Sequence, residues 1–151
     1  MITIEEFKNK ISKKSRLIGL DLGTKRIGIA ICDERQSIAT PFKTVQKDNF
    51  DKFLDELKLI IKENNIEGII VCNPINMDGS LGPSAQSVKD VCVNILKNIN
   101  MPLCLWDERL STVGAFNLSS QLDIKVSKKI KNIDQNAAAF MLQGAIDYLK
   151  N

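Results

Sequence analysis

Residues 16–32, RLIGLDLGTKRIGIAIC, hold two apolar runs of strand length separated by a segment with room only for a tight turn. Gly23-Thr24 supplies that turn, and the β-branched and leucine-rich runs on either side pair as a hairpin-like unit, so the chain must build around a sheet. The first run carries one acid, Asp21, where a core strand should carry a hydrophobic residue. Its plainest role is a turn acceptor for the backbone of Gly-Thr-Lys. Gly28, in the middle of the second run, points to a close backbone approach or a bulge.

The remaining pattern alternates between strand and helix periods. Before the hairpin, Ile4, Phe7 and Ile11 recur at helical spacing in a short amphipathic or frayed lead closed by Lys13-Lys14. After it, SIATPFKTV reads as a third strand, with Pro41 arguing for an edge position. Phe50, Phe53, Leu54, Leu57, Ile60 and Ile61 form one apolar helix face that stops near Asn64-Asn65. GIIVC reads as a strand buried on both faces and ends in NPINMDGSLGP, which can continue neither strand nor helix. A helix from Ser84, a strand MPLCLW, a helix around Val113 to Leu122, a basic stretch DIKVSKKIKN and an alanine-rich final helix complete the order β-β-β-α-β-α-β-α-α. At 151 residues and 44% hydrophobic content this predicts one domain, residues 1–151, with a core of about 16–149 behind a lead of 1–15.

Composition excludes much chemistry. The chain contains no histidine, which removes Ser-His-Asp and Cys-His nucleophile systems, histidine-ligated zinc and the usual general base near neutral pH. Cys32, Cys72, Cys92 and Cys104 lie at scattered spacings without a Cys-x-x-Cys pair and read as buried free thiols. No Gly-x-Gly-x-x-Gly or Gly-x-x-x-x-Gly-Lys-Ser/Thr occurs, so the main dinucleotide and P-loop signals are missing. The sequence shows neither a secretion signal nor an apolar run of membrane-spanning length, and a cytoplasmic protein without membrane contact is expected. A net charge of +3 permits a polyanionic partner without requiring one.

Three acids stand where strands or a buried helix should be apolar: Asp21, one of the adjacent pair Asp107 and Glu108 after PLCLW, and Asp134 at the start of the last helix. Taken singly each has an ordinary explanation, Asp134 for instance favouring the N-terminal end of its helix dipole. Brought together, partly buried carboxylates repel unless a cation neutralises them. Oxygen ligands suit Mg²⁺ or Mn²⁺, and two such ions about 4 Å apart serve phosphodiester cleavage without histidine. Neighbours on a strand face opposite ways, so Asp107 and Glu108 cannot both reach one site, and strand parity alone does not say which does. Lys25, Arg26 and Arg109 beside these acids, and Lys125, Lys128, Lys129 and Lys131 ahead of Asp134, are candidates for phosphate contacts, which give affinity without sequence readout.

GLDLGTKRIGIAI, NPINMDGSLGP, DERLST and DQNAAAFMLQ, in this order and spacing from about Arg16 to Leu149, resemble the YqgF/RuvX family of small bacterial proteins. The resemblance implies an α/β, ribonuclease H-like fold: a mixed five-stranded sheet, three antiparallel strands extended by parallel ones, flanked by helices. It implies Asp21, Glu108 and Asp134 as catalytic and metal-binding carboxylates, which favours Glu108 over Asp107, and it matches Lys25, Arg26 and Arg109 to basic positions of the family. It also implies a nuclease that processes the 5′ end of pre-16S ribosomal RNA, with a role in resolving Holliday junctions as the alternative. Two positions depart from the family pattern: VCNPINMDG replaces a Gly-Leu-Pro lead-in, and Gly114 stands where an acid is common after STV.

The leading expectation is therefore a metal-dependent endonuclease acting on structured RNA rather than branched DNA, with ribosomal precursor particles as partners and a monomeric or homodimeric state. Asp-Leu-Gly-Thr also resembles the phosphate loop of actin-like and sugar-kinase ATPases, but those need two related domains closing on the nucleotide. A nucleic-acid-binding assembly factor without chemistry is the third class.

Overall fold

The structure is a computed structural model that describes residues 1–74, 83–107 and 133–150. In chain order the elements are α1 (Ile4–Lys10), β1 (Arg16–Leu22), β2 (Arg26–Cys32), β3 (Ala39–Gln46), α2 (Phe50–Glu63), β4 (Ile66–Asn73), α3 (Pro83–Asn98), β5 (Leu103–Asp107) and α4 (Ile133–Leu149). The strands form one sheet in the order β3-β2-β1-β4-β5. β1 pairs antiparallel with β2 and β2 with β3, whereas β4 runs parallel to both β1 and β5.

The hairpin forms where the sequence puts it. Gly23 N–H donates to the Arg26 carbonyl at 2.9 Å, and a Cβ at this position would stand 2.7 Å from that same oxygen, so the turn accepts glycine only. β3 is an edge strand, as Pro41 demands. Ile29 pairs with Lys43 and Ala30 with Pro41, leaving Phe42 as the extra residue of a bulge at the prolyl position. The strand begins two residues later than the reading SIATPFKTV, because residues 33–38 form a turn. In it the Asp33 carboxylate accepts from the N–H groups of Ile38 and Ser37, and these bonds hold it below the ordinary carboxylate range.

Strand alternation sorts the core into two layers. Ile18 and Leu20 of β1, Ile69 and Val71 of β4, and Leu103 of β5 pack with Phe53, Leu54 and Leu57 of α2 and Val88, Cys92 and Ile95 of α3. Leu17, Ala30, Cys32, Ile70, Cys72, Cys104 and Trp106 face the other way, against α4. α2 is capped by Asn49, whose side chain accepts from Lys52 N–H at 3.1 Å, and it stops at Asn64 and Asn65, the latter with φ 53°. α3 opens on Pro83, which suits the first helical position because its missing N–H has no partner there. All four cysteines are free and buried, as the spacing predicts.

The lead is built into this second layer as an amphipathic helix and is not frayed. Thr3 caps α1 by accepting from Glu6 N–H at 3.2 Å, and Phe7 is 0% exposed. Its ring occupies the space a side chain on residue 68 would fill: a Cβ on Gly68 would lie 2.5 Å from Phe7 Cζ. Ahead of the helix, Ile2 N–H donates to the Leu103 carbonyl and Ile2 bridges Cys104 in parallel, covering the β5 edge.

Candidate active site at the carboxyl end of the central strand

Asp21 is the sixth residue of β1, which lies between β2 and β4 at the centre of the sheet. It shares parity with Leu17 and Gly19, so it belongs to the face covered by α4, and it is half-buried. Its cross-strand partner on β2 is Gly28. The neighbouring position on that face therefore carries no side chain.

Two residues earlier, Gly19 sets the height of α4 above the sheet. A Cβ there would meet Leu142 Cβ at 3.0 Å, Met141 Cε at 3.3 Å and the Ala138 carbonyl at 3.4 Å. Only a glycine beside Ala30, under a helix face of Ala138, Ala139 and Ala145, lets helix and strand approach this closely. α4 runs antiparallel to β1. Ala138 lies over Gly19, Gln143 donates to the Ser37 carbonyl and accepts from Ala39 N–H, and Lys150 donates to Ser37 Oγ. The first turn of α4, which contains Asp134, thus lies at the same end of the sheet as Asp21. The Asp134 side chain is outside what the structure describes, but its position stands four and seven residues before the buried Ala138 and Met141.

β5 ends at the same edge. Cys104 and Trp106 belong to the α4 face, and Leu103, Leu105 and Asp107 alternate onto the opposite one, where Asp107 pairs with Asn73. By that alternation Asp107 belongs to the face opposite Asp21. Glu108, Arg109, Lys125, Lys128, Lys129 and Lys131 lie outside the described residues, as do the expected helix at 113–122 and most of NPINMDGSLGP.

Lys25 and Arg26 are exposed on the turn that follows Asp21. The structure adds a cation that sequence reading missed. Lys47, just past β3, donates from its ammonium to the Gly23 carbonyl at 3.1 Å and from its backbone to the Lys25 carbonyl at 3.0 Å. It pins the turn that carries Lys25. The signal was the pairing of Arg26 with Gln46, a register that the sequence alone does not reveal.

Three of the four thiols are poor nucleophiles. Burial pushes Cys92 and Cys104 up to about 12 and also raises Cys32, so the nucleophilic thiolate is disfavoured.

Comparison with known proteins agrees with this arrangement. The profile of the family described as "RuvX: Holliday junction resolvase" matches residues 15–148. A protein of Pelagibacter ubique (strain HTCC1062), provisionally named a pre-16S rRNA nuclease, is 72% identical over 151 residues, covering 100% of both chains. A Rhodobacter capsulatus protein with the same provisional name is 40% identical over 146 residues, covering 97% of this chain and 92% of its own. Among solved structures, Thermus thermophilus RuvC in complex with a Holliday junction substrate superposes with a TM-score of 0.57 at 11% identity, covering 89% of this chain and 94% of that one. The yeast mitochondrial Holliday junction resolvase Ydc2 gives 0.51 at 13% identity, covering 97% and 84%. With a central sheet and helix arrangement shared with RuvC, a ribonuclease H-like fold, and with sequence kinship along its whole length, this chain belongs to the RuvX family.

Proposed function

We propose that the protein is a metal-dependent nuclease that hydrolyses phosphodiester bonds in structured RNA, acting at the 5′ end of pre-16S ribosomal RNA within precursor particles in the cytoplasm. The observation that carries the reading is the half-buried Asp21 on the α4 face at the carboxyl end of the central strand, beside Gly28 and at the same end as the first turn of α4. The provisional names of the full-length relatives supply the RNA substrate.

In this reading Asp21, Glu108 and Asp134 form the catalytic and metal-binding set. Carboxylate oxygens with no histidine available suit a hard divalent cation, Mg²⁺ or Mn²⁺, and Gly28 opposite Asp21 adds no side chain that would compete for it. Bound there, a pair of such ions would supply activation of water and stabilisation of the leaving oxygen. Asp21 and Asp134 would hold the metal, and Glu108 would be shared between the ions or orient the attacking water. The assignment of Glu108 is supported by the opposite facing of Asp107. Lys25 and Arg26, on a turn pinned by Lys47, bind the phosphates that flank the scissile one, and Arg109 and the lysines at 125, 128, 129 and 131 extend that contact. The working unit is one domain, residues 1–151; among the described residues no helix is long and apolar enough to cross a membrane.

The family's description favours a second reading, resolution of four-way DNA junctions by the same carboxylates. One experiment separates them: the purified protein is given a labelled 5′-extended small-subunit rRNA precursor and a four-way DNA junction, each with Mg²⁺ or Mn²⁺. Asp21→Asn is expected to lower cleavage of the RNA at least about a thousandfold while circular dichroism and melting stay unchanged. Metal-dependent cutting retained by Asp21→Asn would refute the site. Cutting of the junction alone would assign the chain to recombination, and binding without cutting would make it an assembly factor.

A further inference from the structure

At the opposite end of α4 from Asp21, the structure holds a cavity of about 430 Å³ lined by Lys8, Lys13, Arg35 and Lys150, with Ile11 and Leu149 as apolar walls and no Asp or Glu among the described lining residues. The proposed function uses none of these cations.

The cavity is built on a fixed frame. Gln36, 5% exposed and in the left-handed region at φ 55°, donates from Nε2 to the Ser12 carbonyl at 3.0 Å, the Ser15 carbonyl at 3.0 Å and Ser15 Oγ at 2.9 Å. These bonds tie the exit of α1 to the β2–β3 turn. Lys150 Nζ donates to Ser37 Oγ at 3.0 Å, which ties the end of α4 to the same turn. Three segments distant in sequence thus hold four cations around one concavity. Its volume falls in the range of small-ligand sites, and cations gathered around one concavity suit phosphate oxygens.

We propose that this pocket binds phosphates of a nucleic-acid strand, six or so nucleotides removed from the phosphate held at Asp21. The spacing follows from the fold. From Asp21 back to the start of β1 is about 17 Å at roughly 3.3 Å per residue, and α4 spans about 25 Å along the same face. At about 3.4 Å per nucleotide, a stacked strand covers that distance in roughly five to seven nucleotides. The pocket then acts as a distal anchor that adds affinity without sequence readout and favours substrates with a flank of that length. The identification of the occupant as a nucleic-acid strand rests on the nuclease reading. The shared chemistry with a free nucleotide or inorganic phosphate is the phosphate group itself.

The test is equilibrium binding by the full chain in EDTA, so that cleavage does not enter. Fluorescein-labelled single-stranded RNAs of 4, 8, 12 and 16 nucleotides are titrated at several salt concentrations. UMP and inorganic phosphate serve as competitors. Affinity is expected to rise steeply between 4 and 12 nucleotides. Lys13→Gln, Arg35→Gln and Lys150→Gln combined should remove that rise, weaken the 16-mer about tenfold, and reduce the salt slope by about 2, at about 0.7 per lost single-strand contact. All three side chains are exposed, so melting should not change. Combined Lys52→Gln, Lys58→Gln and Lys62→Gln on α2, which packs on the other face of the sheet, should leave the length dependence intact.

Unchanged affinity and slope in the pocket variant would overturn the proposal, as would an equal loss in the α2 variant or no binding by the wild-type chain. Tight competition by UMP or phosphate with no gain from length would assign the pocket to a small anion instead. Length-dependent, pocket-dependent binding by a chain that cuts nothing would leave this proposal standing and sink the nuclease reading. Asp21-dependent cleavage with an inert pocket would do the reverse.

Discussion

Gly19 and Gly28 look alike in sequence, each a glycine inside an apolar run, yet they do different work. Gly28 stands opposite Asp21 and places no side chain beside it, and Gly19 receives the backbone of α4. The sequence signalled close backbone approach at Gly28 and gave no reason to single out Gly19, because the atoms that crowd it, on Ala138, Met141 and Leu142, are more than a hundred residues away. Asp21 itself was legible, since an acid at the end of an apolar strand breaks the local pattern. The second acid was left open between the neighbours Asp107 and Glu108, which parity forbids from facing one site together, and Asp107 alternates onto the face opposite Asp21. Gly19→Val is expected to force α4 away from β1 and to cost about 1–3 kcal/mol, the range for overpacking a filled core. Activity should fall further than stability does, because a displacement near 1 Å at the first turn of α4 misplaces Asp134 relative to Asp21. Urea titration gives the stability change. Cleavage measured where the variant is still fully folded gives the activity, and full activity there would show that the height of α4 does not set the site.

Among the elements, α1 departs furthest from its sequence reading. Ile4, Phe7 and Ile11 announced an amphipathic helix, but its docking depends on a gap at Gly68 and on the free edge of β5, neither of which has a local signature. The edge placement of β3, by contrast, was legible from one residue, because a proline cannot serve a central ladder. α1 also connects to α4 through Tyr148, whose hydroxyl donates to Glu5 Oε1 at 2.9 Å and whose ring lies edge-on to Trp106 at 5.4 Å. Phe7→Ala should therefore cost about 3–5 kcal/mol, as expected for a fully buried aromatic ring lost over a hole that glycine cannot refill. Phe7→Leu should recover much of that loss. Thermal and urea unfolding of both variants measure this, and a Phe7→Ala variant as stable as the wild type would mean that α1 adds nothing to the folded core.

The sheet separates the molecule into an α2–α3 layer and an α1–α4 layer, and the buried thiols sample both. Cys92 belongs to the first layer, and Cys32, Cys72 and Cys104 to the second. Burial raises Cys92 and Cys104 from the ordinary 9.0 to about 12, so in the folded state they keep protons that the unfolded chain releases above pH 9. The sign of the linkage follows: the stability is fully present below pH 9 and is lost as pH rises from 9 toward about 12. Each thiol protonated only in the folded state lowers stability by about 1.4 kcal/mol per pH unit across that window. Urea midpoints at pH 8, 9, 10 and 10.5 should fall progressively. In Cys92→Ala/Cys104→Ala, less stable at pH 8 for loss of packing, the alkaline decline should be shallower. Wild-type and variant curves that run parallel would locate the alkaline loss in other groups. If the layers unfold together, all four thiols should also become alkylatable at one urea concentration, because each layer's apolar face is completed by the same five strands. Earlier labelling of Cys32 and Cys104 than of Cys92 would instead show α1 and α4 lifting off a sheet still held by α2 and α3. The first turn of α4 would then be separately mobile, with Asp134 carried away from Asp21 before the molecule as a whole comes apart.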